Sequence, residues 1–171
     1  MAKGYKEILK DKRLEAGKLM TESQIAKCNA AIHTASVVSG ASGFIPIPVA
    51  DAIPISAAQV TMVVALGKVF DQQITDSAAK GLISAAAATI IGRNLVKLIP
   101  VAGWVASAAI AAGVTEAIGW SVAVDMAKSY RKEWERKKNA RDAADAYAEA
   151  EYYKHKYNAG QAEEADDFSG E

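Results

Sequence analysis

One cysteine, two histidines and four prolines are spread over 171 residues, and aromatic side chains make up only 7% of them. The lone Cys28 excludes an internal disulfide framework and a cysteine-based zinc site, and it is compatible with a reducing cytoplasm. His33 follows Cys28 by five residues, about 140° further round a helix, so the two do not share a face as a nucleophile pair would. His155 sits far away in a charged segment, and no ligand spacing for a metal is present. The phosphate-cradling pattern G-x-x-x-x-G-K-[ST] and the dinucleotide pattern G-x-G-x-x-G are both missing. A formal net charge of zero excludes a nucleic-acid binder that works by overall electrostatics. The first 18 residues develop no apolar signal-peptide core, so export by the usual route is not expected. These absences point to a non-enzymatic protein with no catalytic residue, no cofactor, no metal and no small-molecule substrate.

What the chain has in abundance is alanine, 36 residues of it, within an apolar fraction of 51%. Alanine is the best helix former and packs helices closely, and no stretch alternates apolar and polar residues as a half-buried strand would. The expected class is all-α, an alanine- and glycine-rich helical bundle with two hydrophobic helical hairpins and a long C-terminal helix.

Charge is segregated along the chain. Residues 1–31 carry net +3, residues 32–126 hold only nine charges, residues 128–141 carry net +5, and residues 159–171 contain five acids and no base. The weakly charged middle is the expected core, and the last segment has the composition of an acidic disordered tail. The expected organisation is an amphipathic N-terminal helix at 1–21, a hydrophobic helical core at 22–138, a C-terminal helix at 139–158 and the tail at 159–171.

Within that frame Tyr5, Ile8, Leu9, Ala16, Leu19 and Met20 recur on one helix face. Thr21 with Gln24 has the spacing of a capping box, opening a helix whose Ile25, Cys28, Ile32 and Ala35 repeat at three and four residues. Prolines 46, 48 and 54 interrupt any helix there and suggest an apolar extended turn. Asp51 in that stretch is expected to cap the next helix, with Pro54 in its first turn. Residues 55–70 are apolar nearly all round, and Thr75 or Asp76 is expected to cap the helix that follows. Beyond Pro100 a helical pattern runs from Trp104 to about Lys138, and 141–157 continues or re-forms it.

Small residues recur every fourth position in two places. Gly103, Ser107, Ala111, Thr115 and Gly119 form one stripe, and Ser77, Gly81, Ala85 and Thr89 form another, so the two segments are expected to pack as a close hairpin. Trp104 and Trp120, about 24 Å apart along a helix, bracket an apolar run, and Tyr130, Lys132, Trp134, Lys137 and Lys138 follow it. That order resembles an interfacial aromatic belt with a basic cytoplasmic flank able to bind anionic lipid. The alternative for the tryptophans is core packing. Asp51, Arg93 and Glu116 are charges within apolar sequence, and Glu116 is expected to pair with Arg93, Lys97 or a hydroxyl such as Ser84.

Several of these stretches together resemble a known family. The 46–54 proline stretch with Asp51, the segment from Gln59 to Met62, the Leu98-Ile99-Pro100 to Gly103 turn and residues 115–119 resemble the DUF697 family of helical domains, over about residues 22–128. The resemblance implies association with membranes, often beside a GTPase, and supplies no enzymatic residues. Any nucleotide switch would reside on another chain. The expected function is a membrane-associating helical protein that contacts or inserts into the bilayer through its hydrophobic hairpins, on the cytoplasmic side of a membrane. The alternative is a cytoplasmic interaction or self-association module without membrane contact.

Overall fold

The computed structural model describes the backbone of residues 4–42, 52–91 and 104–168, and the side chains at 4–41, 56–90 and 109–158. Among these residues the chain is all-α: α1 is Tyr5–Leu19, α2 Glu22–Ser42, α3 Ala52–Val69, α4 Asp76–Ile91 and α5 Trp104–Phe168, with no strand.

Local chemistry sets the boundaries. Thr21 N donates to Gln24 Oε1 at 2.9 Å and Gln24 N donates to Thr21 Oγ1 at 3.3 Å, so the capping box opens α2 as its spacing predicts. Pro54 falls in the first turn of α3, where its missing N–H has no intrahelical partner to lose. At the other end of α3, Gly67 O accepts from Phe70 N and Gln72 N at 3.0 and 2.9 Å, and Asp71 takes a left-handed φ of 54°. The chain then folds back so tightly that a Cβ on Gly67 would lie 2.7 Å from Gln72 O. Thr75 caps α4, its Oγ1 accepting from Ala78 N at 3.3 Å.

The chain divides at Tyr130 into two units, residues 1–130 and Arg131–Glu171. In the first unit α2, α3 and the early part of α5 enclose the core. Ile32 and Met62 both lie against Gly119, while Ser39 and Gln59 both meet Thr115, so α2 runs opposite to α3 and α5. Cys28, Ile32, Met62, Val63, Leu66 and Phe70 are almost completely buried between them. α1 closes one side with Ala16 and Met20, and α4 contributes Ala79 and Ile90, with Leu82, Ile83, Ala86 and Ala87 packed alongside. Burial pushes the Cys28 thiol up to about 11, so it carries no thiolate near neutral pH.

Three features depart from the sequence reading. The N-terminal helix is part of the core unit, because its apolar face finds α5: Tyr5 lies against Gly113, whose added Cβ would come within 2.5 Å of the ring. The two small-residue stripes do not face each other. Ser77, Gly81, Ala85 and Thr89 are exposed, because α4 turns its larger leucine and isoleucines inward and buries more apolar area that way. Thr115 and Gly119 of the other stripe are buried against α2 and α3, and Ala111 is half-buried. Finally, α5 continues without a break through 141–157, one of the two forms expected there, and on past 159 to Phe168, so the expected tail begins inside it. Asp51, Arg93, Lys97 and Gly103 lie outside the described residues, as does the extended turn at 43–51, and only the helical backbone of Trp104 and Ser107 is described.

Candidate functional site

Thr115 joins polar groups from three helices in the core. Gln59 Nε2 donates to Thr115 Oγ1 at 3.1 Å, and Thr115 Oγ1 donates to Ser39 Oγ at 3.0 Å, so each of the three main core helices supplies one group. Ser36 and Ser121 bond instead to the carbonyls of Ile32 and Ala117 in their own helices. This hydroxyl and amide cluster ties the three helices together and fixes their register. Among the described residues no group of three or more His, Cys, Asp or Glu side chains could hold a metal ion.

Trp120 is 3% exposed, the core-packing alternative to a place in a lipid-facing belt. Its large ring is worth more against the bundle than at an interface while the helices stay assembled. The Arg13 guanidinium lies 5.8 Å from the Trp120 ring centroid, and Arg13 Nη2 also donates to Glu116 Oε2 at 3.3 Å. Glu116 thus pairs with α1, its side chain is 23% exposed, and two of its expected partners, Arg93 and Lys97, lie outside the described residues. Trp120 Nε1 has no hydrogen-bond partner among the described residues. Tyr130 also belongs to the core edge, with its ring tilted against Phe70 at a centroid distance of 6.2 Å.

A second ion pair ties α1 to α5. Glu15 bridges Lys128 of α5 and Lys12 of its own helix, and the hydrogen bond from Lys128 holds the Glu15 carboxyl below its ordinary value of 4.5. The same bond raises Lys128 above its ordinary 10.5. A lowered carboxyl stabilises the folded state above its unfolded value, and that contribution is lost as pH falls through the folded value. Acid titration of unfolding stability is therefore expected to show a decline beginning near pH 4.5 that is shallower in Glu15→Gln. Because both side chains are partly exposed, the difference at neutral pH is about 0.2–1 kcal/mol. An unchanged acid limb in Glu15→Gln would remove this assignment.

Between α1, α4 and α5 of the same unit runs a groove of about 620 Å³. Ile8, Leu82, Ala86, Val122 and Met126 give it an apolar lining, and Asp11, Lys12, Asp125 and Ser129 give it a polar one.

Of the expected lipid-binding residues, Lys132, Trp134, Lys137 and Lys138 lie in the second unit. Trp134 is 55% exposed, with Lys138 Nζ 5.8 Å from its ring centroid. Lys132, Lys137, Arg131, Arg136 and Arg141 are exposed around it. Glu133 takes up Arg136 at 2.8 Å and Lys137 at 3.6 Å, and the Arg136 bond lowers its carboxyl below the usual range. Lys132 and Arg141 make no ion pair among the described residues, so the surface of this stretch keeps a cationic surplus beside an exposed indole. One helical segment, Ala109–Asn158, contains an apolar window long enough to cross a membrane by length and composition, and 56% of that window is buried inside the protein. The sequence left Trp120 open between core and interfacial belt, since aromatics at the end of an apolar run read alike for core and bilayer. Compared with family models, curated proteins and solved structures, the chain matches none, and its resemblance to DUF697 rests on the residues quoted above.

Proposed function

We propose that this chain is a non-enzymatic, membrane-associating helical protein whose contact with the bilayer starts at residues 131–141. The observation that supports it most directly is the exposed Trp134 flanked by Lys137 and Lys138 on a helix stretch with excess positive charge. An indole at the headgroup level and lysines in the anionic surface potential are the two elements of reversible surface docking. The apolar helices of the first unit bury their faces against one another, so insertion of a hairpin would follow docking and require the bundle to open.

Flotation of the full chain with anionic and neutral vesicles at low and high salt tests this reading. The protein is expected to rise with anionic vesicles at low salt and to stay behind with neutral ones. Each basic residue near such a surface contributes about 1 kcal/mol, so removing two lysines in Trp134→Ala, Lys137→Ser, Lys138→Ser should weaken partitioning about thirtyfold or more. Flotation that survives high salt would add insertion to docking. Protein left at the bottom under every condition overturns the membrane reading. It would favour the second one, an interaction module, which the burial of Trp120 and of much of the apolar window supports.

A further inference from the structure

The second unit carries an exposed face that mixes alanine and tyrosine. Helices in water gain most of their stability from packing, yet the side chains described along 131–158 are almost all exposed. Ala143, Ala146, Ala150, Tyr153 and Tyr157 follow one another at spacings of three, four, three and four, which keeps them within a sector about 80° wide. All five are exposed, the two tyrosines at 59% and 68%. Trp134 lies about 140° round the helix from this seam, so the seam is a separate surface from the proposed lipid contact.

We infer that this seam is a self-association surface on which a second copy of the chain lies antiparallel. Charge decides both the occupant and the direction. Residues 131–141 hold six bases and two acids, and residues 159–168 hold four acids and no base, so the helix is positive at one end and negative at the other with the seam between. A second copy in the opposite direction sets each basic end beside an acidic one, while a parallel copy would set like against like along the whole length. Side-chain volume agrees. In the antiparallel register Ala146 faces Tyr157 of the second copy and Ala150 faces its Tyr153, so these layers each pair a small residue with a large one, and Glu149 flanks Lys156. A parallel pair would stack alanine on alanine and tyrosine on tyrosine.

Sedimentation equilibrium of the full chain is the first measurement, and the expected result is a dimer that dissociates as salt rises. Ala146→Glu with Ala150→Glu puts four charges into the seam at exposed sites where glutamate is a good helix former. The dimer dissociation constant should rise about a hundredfold or more while circular dichroism stays unchanged. Direction is read by cysteine cross-linking, for which the buried Cys28 is a silent background. Ala146→Cys and Tyr157→Cys should each fail to cross-link alone and should link when mixed. A monomer at every concentration, or a dimer that survives the double glutamate variant, overturns the surface. Self-linking of Ala146→Cys alone overturns the direction. None of these readouts involves lipid, so their failure leaves the membrane reading to its own test.

Discussion

Phe70→Ala is expected to lower the unfolding free energy by about 3–5 kcal/mol, the largest single-residue effect anticipated outside the proposed surfaces. The ring is 1% exposed at the end of α3, where Val63, Leu66 and Phe70 present one face to the core, and it supports Tyr130 across to α5. Truncation leaves a cavity bordered by a tight turn. Gly67 and Gln72 are bonded there and Asp71 already holds a left-handed φ, so the backbone has little freedom to collapse inward. The measurement is chemical unfolding of wild type and variant, read as a shift in midpoint with an unchanged slope. A drop of less than about 1 kcal/mol would mean that Phe70 is not the keystone of this junction.

Gly119→Leu should be nearly as damaging, for the opposite reason. A Cβ at this position would stand 2.8 Å from Ile32 Cγ1 and 2.9 Å from Met62 Sδ, both on buried side chains of the two facing helices. Met62 can swing its sulfur aside, but Ile32 is branched and enclosed, so three further carbons force α5 away from α2. Overpacking of this kind costs about 1–3 kcal/mol, and leucine belongs at the upper end because the clash begins at its first atom. A shift of α5 would also stretch the Thr115 bonds to Ser39 and Gln59 one turn away, adding the penalty of buried hydroxyls without partners. Gly81→Ala is the internal control. Nothing lies within 4 Å of its Cβ, and it sits on the exposed side of α4, so it should gain about 0.5–1 kcal/mol from helix propensity. If both glycine variants moved stability in the same direction, close approach at Gly119 would be refuted.

These two glycines show what local sequence carries and what it does not. Gly81 and Gly119 each sit in an unbroken stripe of small residues at fourfold spacing, and by pattern alone the stripes are equivalent. One faces water and the other is pressed between two helices. The difference comes from the residues beside each stripe: α4 has Leu82, Ile83 and Ile90 on another face to bury, whereas Thr115 and Gly119 share their face with the helices that α5 meets. The same limit explains Glu116 and Trp120. Their shared neighbour Arg13 precedes them by more than a hundred residues, and nothing near them in the chain announces it.

The sequence by itself determined the all-α class, the inward face of α1 and α2, the capping box at Thr21 and the cap at Thr75. Those features depend on side chains within four residues of one another, and helical geometry converts such spacings into faces and caps directly. The cationic surplus at 131–141 and the acids beyond 159 were equally legible, because charge is counted from the sequence and needs no fold. Only the tertiary structure decided which stripe is buried, which partner Glu116 takes, that Trp120 lies inside, and that the N-terminal helix belongs to the core. Each of these is a competition between surfaces far apart in the chain, settled by which arrangement buries the most apolar area without stranding a polar group.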